Sequence, residues 1–185
     1  MGPDQNRKRR LIPEGLWKFL FWPFVWLLVY LSAYMLHKQC ACSDRLGAWS
    51  VLLGLAIMVW ALAVHIVAGK SLKRFGHSSG HKSIWPDRLV TSGIYSCMRH
   101  PQHLGLALLP LGAALVSGYL SALLASGWAV LAAFFFVLVI EEPECLQKFG
   151  KDYCRYMKDT PAFCLHPRCL KMGWKWLKSA GSEES

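Results

Sequence analysis

Three apolar blocks, Gly15 to His37, Leu46 to Ala68 and His103 to Ile140, are almost free of charge. Each exceeds the roughly 20 residues that a helix needs to cross a bilayer, so the chain reads as an integral membrane protein. The third block, at 38 residues, would make a helix of roughly 57 Å, against ~30 Å of hydrocarbon. It must fold into two, and the turn formers in Ser117-Gly118-Tyr119-Leu120-Ser121 mark the break.

The fold class expected is therefore all-α: a polytopic membrane helix bundle of four transmembrane helices, followed by a C-terminal interfacial amphipathic helix. Along the chain this gives a basic N-terminal arm (1–14), a first transmembrane hairpin (15–68), a loop (69–102), a second transmembrane hairpin (103–140), an amphipathic helix (141–160) and a tail (161–185). In the amphipathic stretch Leu146, Phe149, Tyr153, Tyr156 and Met157 recur at helical spacing, opposite Lys148, Lys151, Arg155 and Lys158. Pro143 should turn it out of the bundle axis. Gly47, Gly54 and Ala61, seven residues apart, put a small-residue face on the second helix for a close neighbour. The aromatics of the first helix, Trp17, Phe19, Phe21, Trp22, Phe24 and Trp26, read as lipid-facing anchors, with Pro23 a candidate kink.

A net charge of +10, from 21 Lys and Arg against 11 Asp and Glu, raises the question of nucleic acid. The cations lie beside the apolar blocks and no nucleic-acid motif occurs, so the charge is a membrane signature and membrane lipids are the expected partners. The arm, the 69–102 loop and the C-terminal stretch after Ile140 hold nearly all of them, whereas the 38–45 turn has only Lys38 and Arg45. Both termini and the loop are thus expected on the cytoplasmic side of a multi-pass protein.

Seven cysteines without a repeated spacing exclude a complete disulfide framework. Cys40 and Cys42 share the first short turn and their oxidation state is open. No metal site is expected: Cys164, His166 and Cys169 lack a fourth ligand, and Ser-Ser-Gly between His77 and His81 marks a turn. His65 reads as an interfacial residue.

The chemistry concentrates at Arg99-His100-Pro101. A cation and an imidazole stand at the mouth of an apolar helix, where charge is costly unless it has a use. Pro101 suits the first helical turn, and the free backbone N–H groups there favour an anionic group. On the expected topology Glu141 and Glu142 return to the same end, so one half of the site attracts negative charge and the other positive charge. An amino-acid moiety beside a second cation would suit both halves.

Leu89-Val90-Thr91-Ser92-Gly93-Ile94-Tyr95, then Arg99-His100-Pro101 and Gly105, then Glu141-Glu142 with Phe149-Gly150, Tyr153 and Tyr156, resembles the isoprenylcysteine carboxyl methyltransferase family. Glu141-Glu142-Pro143 also resembles phosphatidylethanolamine N-methyltransferases. The resemblance spans roughly residues 86 to 160. It implies an integral membrane enzyme that transfers a methyl group from S-adenosylmethionine to a lipophilic or lipid-linked acceptor, either as the carboxyl enzymes do or as a phospholipid N-methyltransferase. It implies cofactor contacts from Leu89, Val90, Tyr95, His100, Pro101 and Glu141. Arg99 and Glu142 are the catalytic candidates, Arg99 to orient cofactor or substrate and Glu142, or His100, to accept a proton from an amine. The family's tyrosine two residues beyond the proline is His103 here, and an arginine that the eukaryotic carboxyl enzymes carry before the acid pair is replaced by apolar sequence near Val137. The competing classes are an NADPH-dependent membrane reductase and a non-enzymatic membrane scaffold. The acceptor atom and the oligomeric state are left open.

Overall fold

A computed structural model describes residues 16–39, 45–78 and 86–182. The N-terminal arm, Cys40, Cys42 and His81 lie outside the described residues. Among the described residues six α-helices follow in order: α1 (Leu16–Gln39), α2 (Trp49–Phe75), α3 (Pro101–Ser117), α4 (Leu120–Phe136), α5 (Glu142–Asp159) and α6 (Pro167–Ser182). There is no sheet among the described residues; a single bridge joins Arg45 to Tyr119. Among the described residues three helical stretches are long and apolar enough to cross a membrane: α1, α2 and the run Leu120–Asp159. α3 is apolar but shorter, at 17 residues.

The expected break falls where the turn formers stand. Gly118, with φ +74°, closes α3, and its N–H bonds to the carbonyls of Ala114 and Leu115. The two short turns meet at one end of the bundle: Leu46 N–H donates to Gly118 O at 2.8 Å and the Arg45 guanidinium to the Tyr119 hydroxyl at 2.9 Å. The Arg99-His100-Pro101 motif, at the opposite end of α3, is thereby placed at the other end of the molecule.

Neighbours in sequence are not all neighbours in space. α2 packs chiefly on α3 and α3 on α4, but α1 packs on α4 and has no substantial interface with α2. The first two helices therefore do not form a packed hairpin. The reason lies in the small residues. A Cβ on Gly54 would stand 2.6 Å from the Gly112 carbonyl, and one on Gly105 would stand 2.7 Å from the Ala61 carbonyl. Gly54 and Ala61 thus bring the α2 backbone against α3, as their spacing implies. Gly47 takes no part, since its nearest neighbour is the side chain of Trp49.

Three boundaries differ from expectation. α2 runs to Phe75, seven residues past Ala68, which shortens the loop. Its last turns keep a packed face: Ser71 is buried with its hydroxyl on Val67 O at 2.8 Å, and Leu72 and Phe75 pack on the core around Val67 and Ile94. The 161–185 tail contains a helix, α6, whose Cys169, Leu170, Trp176 and Leu177 pack on that same core. Pro143 does not end the helix before it. A π turn over Val137–Glu141 carries α4 directly into α5, and the departure from helical backbone falls instead at Gly150 (φ +55°), a conformation side-chain-bearing residues rarely adopt. Burial in α5 follows the expected amphipathic face, with Tyr153 and Tyr156 inward and Lys148, Lys151, Arg155 and Lys158 exposed.

The aromatics of α1 divide. Trp17, Phe19, Phe24 and Trp26 are exposed, as lipid-facing anchors should be, whereas Trp22 is buried. Close backbone approach also generates a test. Gly54→Leu should lower thermal stability by about 2 kcal/mol or more, because the obstructing atom is a main-chain carbonyl that cannot swing aside. Gly127→Ala, where no atom lies within 4 Å, should be neutral or stabilising. Melting of the two variants in one detergent checks both; equal destabilisation would contradict the packing.

Candidate active site

The segment leading to the motif is fixed before the motif begins. Val90, Ile94, Tyr95 and Met98 are buried against Val64, Val67 and Ala68 of α2. Gly93 opens a 3-10 turn, Gly93–Ser96, at φ +63°, and a Cβ there would stand 2.4 Å from the indole of Trp176 on α6. Both the backbone conformation and the overlying ring demand glycine. Beyond the turn, Arg99 N–H donates to Pro161 O at 3.0 Å and His100 N–H to Ala162 O at 3.1 Å, tying the motif to the strand of chain that leaves α5. Pro101, fully buried, then starts α3 as expected.

The π turn decides how the acids point. Adjacent residues on an α-helix diverge by about 100°, and a widened turn changes that register. Both acids here reach the cations of the motif. Glu141 Oε2 lies 3.0 Å from His100 Nδ1, and its Oε1 lies 2.9 Å from His103 Nε2. Glu142 Oε1 accepts from Arg99 Nε at 3.1 Å and stands 3.5 Å from His100 Nε2. Arg99 also donates to the carbonyls of Met157, at 3.1 Å, and Thr160, which closes the C-terminal end of α5.

A hydroxyl and an indole hold the two imidazoles, and a second hydroxyl holds the turn before them. The Tyr153 hydroxyl is 3.2 Å from His100 Nε2, and the Tyr156 hydroxyl donates to Tyr95 O. The buried Trp22 indole N–H donates to His103 Nδ1 at 3.0 Å. With Nδ1 accepting, the His103 proton belongs on Nε2, aimed at Glu141. Around this polar knot stand aromatic faces: Phe136 with its ring centre 4.9 Å from that of His103, Phe21 at 4.3 Å from Phe136, and Phe163 at 6.4 Å from His100.

The expected site residues divide accordingly. Arg99, His100, Glu141 and Glu142 form one bonded cluster. Pro101 adjoins it as the start of α3. Val90 and Tyr95 lie in the core against α2, and the Tyr95 hydroxyl points to Ala68 O at 3.4 Å. Leu89 is half-buried beside them. The two halves of the expected clamp bond to each other: Arg99 and Glu142 form an ion pair in which both side chains are 8% exposed. Glu141, at 23%, is the more open acid.

Trp22, His103 and Tyr153 join the cluster as well. The signal for His103 was its position one helical turn after His100. Trp22 carried none, because an indole in an apolar helix reads as an anchor. His65, whose Nδ1 is 3.4 Å from Gln102 O, and the Cys164 and Cys169 pair, with sulfurs 3.5 Å apart, make these contacts outside the cluster. No group of side chains suited to a metal ion occurs among the described residues.

A helical membrane bundle with an acid and histidine cluster at one end is the class of protein that fold and site define. Residues 49–152, more than half of the chain, match the phospholipid methyltransferase family, and the chain belongs to that family. The fold is similar to that of the eukaryotic intramembrane Ras methyltransferase ICMT (isoprenylcysteine carboxyl methyltransferase), with a TM-score of 0.51 and 21% identity over 84% of this chain. That alignment covers 55% of the ICMT chain, so the present chain spans about half the length of the solved relative. No curated protein matches it significantly.

His100 allows a pH test. Burial lowers its affinity for a proton, but hydrogen bonds and charge from Glu141 and Glu142 outweigh burial and raise its pKa. A histidine raised on folding stabilises fully below its unfolded value of about 6.5, and that stabilisation is lost as pH rises through the higher folded value. Thermal stability should therefore fall on going from mildly acidic to alkaline pH, and His100→Gln should flatten the decline. Melting curves across that range check it; an identical decline in the variant would contradict the assignment.

Proposed function

We propose that the chain is a S-adenosylmethionine-dependent membrane methyltransferase acting on a lipophilic or lipid-linked acceptor. It would have four membrane-crossing helices, with both termini and the acid and histidine cluster on the cytoplasmic side. The observation that carries this reading is the cluster itself, in a chain of this family: Glu141 is a partly open carboxylate held by two imidazoles, and those imidazole rings neighbour the aromatic rings of Phe136 and Phe163. Those groups suit the cofactor's chemistry. A carboxylate matches an ammonium, and aromatic faces favour a neighbouring cation. When bound, S-adenosylmethionine would supply an electrophilic methyl group.

The chain's own work is then mainly alignment and exclusion of water. Glu141 and His100 hold the cofactor end. Leu89, Val90, Tyr95 and Pro101 shape the segment that presents them. Arg99 acts as a positioning residue: its guanidinium is engaged by Glu142 and two carbonyls, which locks the end of α5 beside the cluster. For an amine acceptor, Glu142 or His100 is the group to take the proton.

The π turn also bears on the acceptor. Val137, where the carboxyl enzymes are expected to place an arginine nearby, is fully buried and apolar. With no cation there to hold a substrate carboxylate, an amine-bearing phospholipid fits this chain better than a prenylcysteine.

Purified protein should bind S-adenosylmethionine, and Glu141→Gln or His100→Ala should weaken that binding by about tenfold or more, the loss of a charged hydrogen bond. Unchanged affinity in both variants would refute the site. Labelled methyl from the cofactor should appear in the lipid fraction of a native extract; label confined to prenylated peptide would reverse the choice of acceptor.

A further inference from the structure

The end of α2 and the length of α6 enclose a second recess, separate from the acids. A cleft of about 780 Å³ lies between them, with Ile66, Val67 and Trp174 on its apolar walls and Lys70, Lys171, Lys175 and Lys178 around it. An adjoining hollow of about 520 Å³ adds Lys73 and Arg74. Among the described residues no acidic side chain lines either one. The gathered lysines Lys70, Lys171, Lys175 and Lys178 favour an anionic occupant.

Position along α2 says which anion. At about 1.5 Å per residue, the helix needs roughly 20 residues from Trp49 to cross the hydrocarbon, so Lys70, Lys73 and Arg74 emerge at headgroup level. Ile66, one turn earlier, is 41% exposed on the side where acyl chains would lie. Trp174, 48% exposed, is an indole placed at the interface between the two. The cleft is apolar below and cationic above, in the same order as a phospholipid standing in its leaflet. A soluble anion would have no use for the lower half.

We propose that this cleft binds an anionic phospholipid, with an acyl chain along Ala63 and Ile66 and the phosphate among Lys70, Lys171, Lys175 and Lys178. The lipid fastens α6 to α2. Because Trp176 of α6 covers Gly93, at the turn that leads to Arg99 and His100, occupancy supports the segment carrying the motif. The site is independent of the acceptor and of methyl transfer.

The test uses the full chain in a neutral detergent, with melting and binding followed on addition of phosphatidylglycerol, phosphatidylcholine or inorganic phosphate. Phosphatidylglycerol should stabilise the protein and bind at least about tenfold more tightly than phosphatidylcholine, as several lysines at a headgroup allow. The triple change Lys171→Gln, Lys175→Gln, Lys178→Gln should remove that preference, and the corresponding arginine variant should keep it. Equal binding of the two lipids, full stabilisation by inorganic phosphate alone, or an undiminished preference in the glutamine variant would each overturn the proposal.

Discussion

Two adjacent carboxylates, Glu141 and Glu142, stand where an apolar helix ends, and most of the structure around them serves to neutralise them. A buried charge without a partner costs several kcal/mol, and removing one member of an existing buried pair costs about 3–5 kcal/mol. Arg99 and Glu142 are both almost wholly withdrawn from water, so neither is tolerable alone. The partners come from distant parts of the sequence: Arg99, His100 and His103 from the start of α3, Tyr153 from α5 and, through His103, Trp22 from α1. Satisfying this one requirement fixes the relative rotation of α3 and α4, the π turn, and the course of α5 back toward the motif.

The cluster in turn depends on a frame that carries no charge. Gly93 lets the chain pass beneath Trp176, Ile94 and Met98 fill the space against α2, and the backbone of Arg99 and His100 is held by Pro161 and Ala162. Each contact constrains backbone rather than side chain, so the guanidinium and imidazole arrive with little freedom left to lose. Such preorganisation is what an alignment-driven reaction requires of a protein.

The helices were legible because a bilayer imposes a simple rule: long uninterrupted apolar runs, broken only where turn residues permit. The break at Gly118 and the close approach through Gly54 and Ala61 follow from that rule and from side-chain size. The motif and the acid pair were legible because charge beside a membrane span is expensive. What escaped obeys subtler physics. The last turns of α2 and α6 carry lysines among their apolar residues, and those cations made both segments read as polar. The pairing of α1 with α4 could not follow from loop length, which fixes direction but not neighbour. The π turn has no signature in residue type. Its effect is visible only in where Glu141 and Glu142 point.

His103 shows how a single departure can enlarge a site. A tyrosine there would offer the carboxylate one hydroxyl donor. An imidazole has two edges, and here one donates to Glu141 while the other accepts from the Trp22 indole. That second edge brings α1 into the acid cluster, although the first helix carries no motif of its own. The indole N–H, buried in an apolar helix, needs an acceptor, and His103 Nδ1 is the acceptor it has. The two requirements therefore answer each other: an unusual histidine finds its orientation from α1, and a tryptophan that sequence alone assigns to lipid becomes part of the polar core.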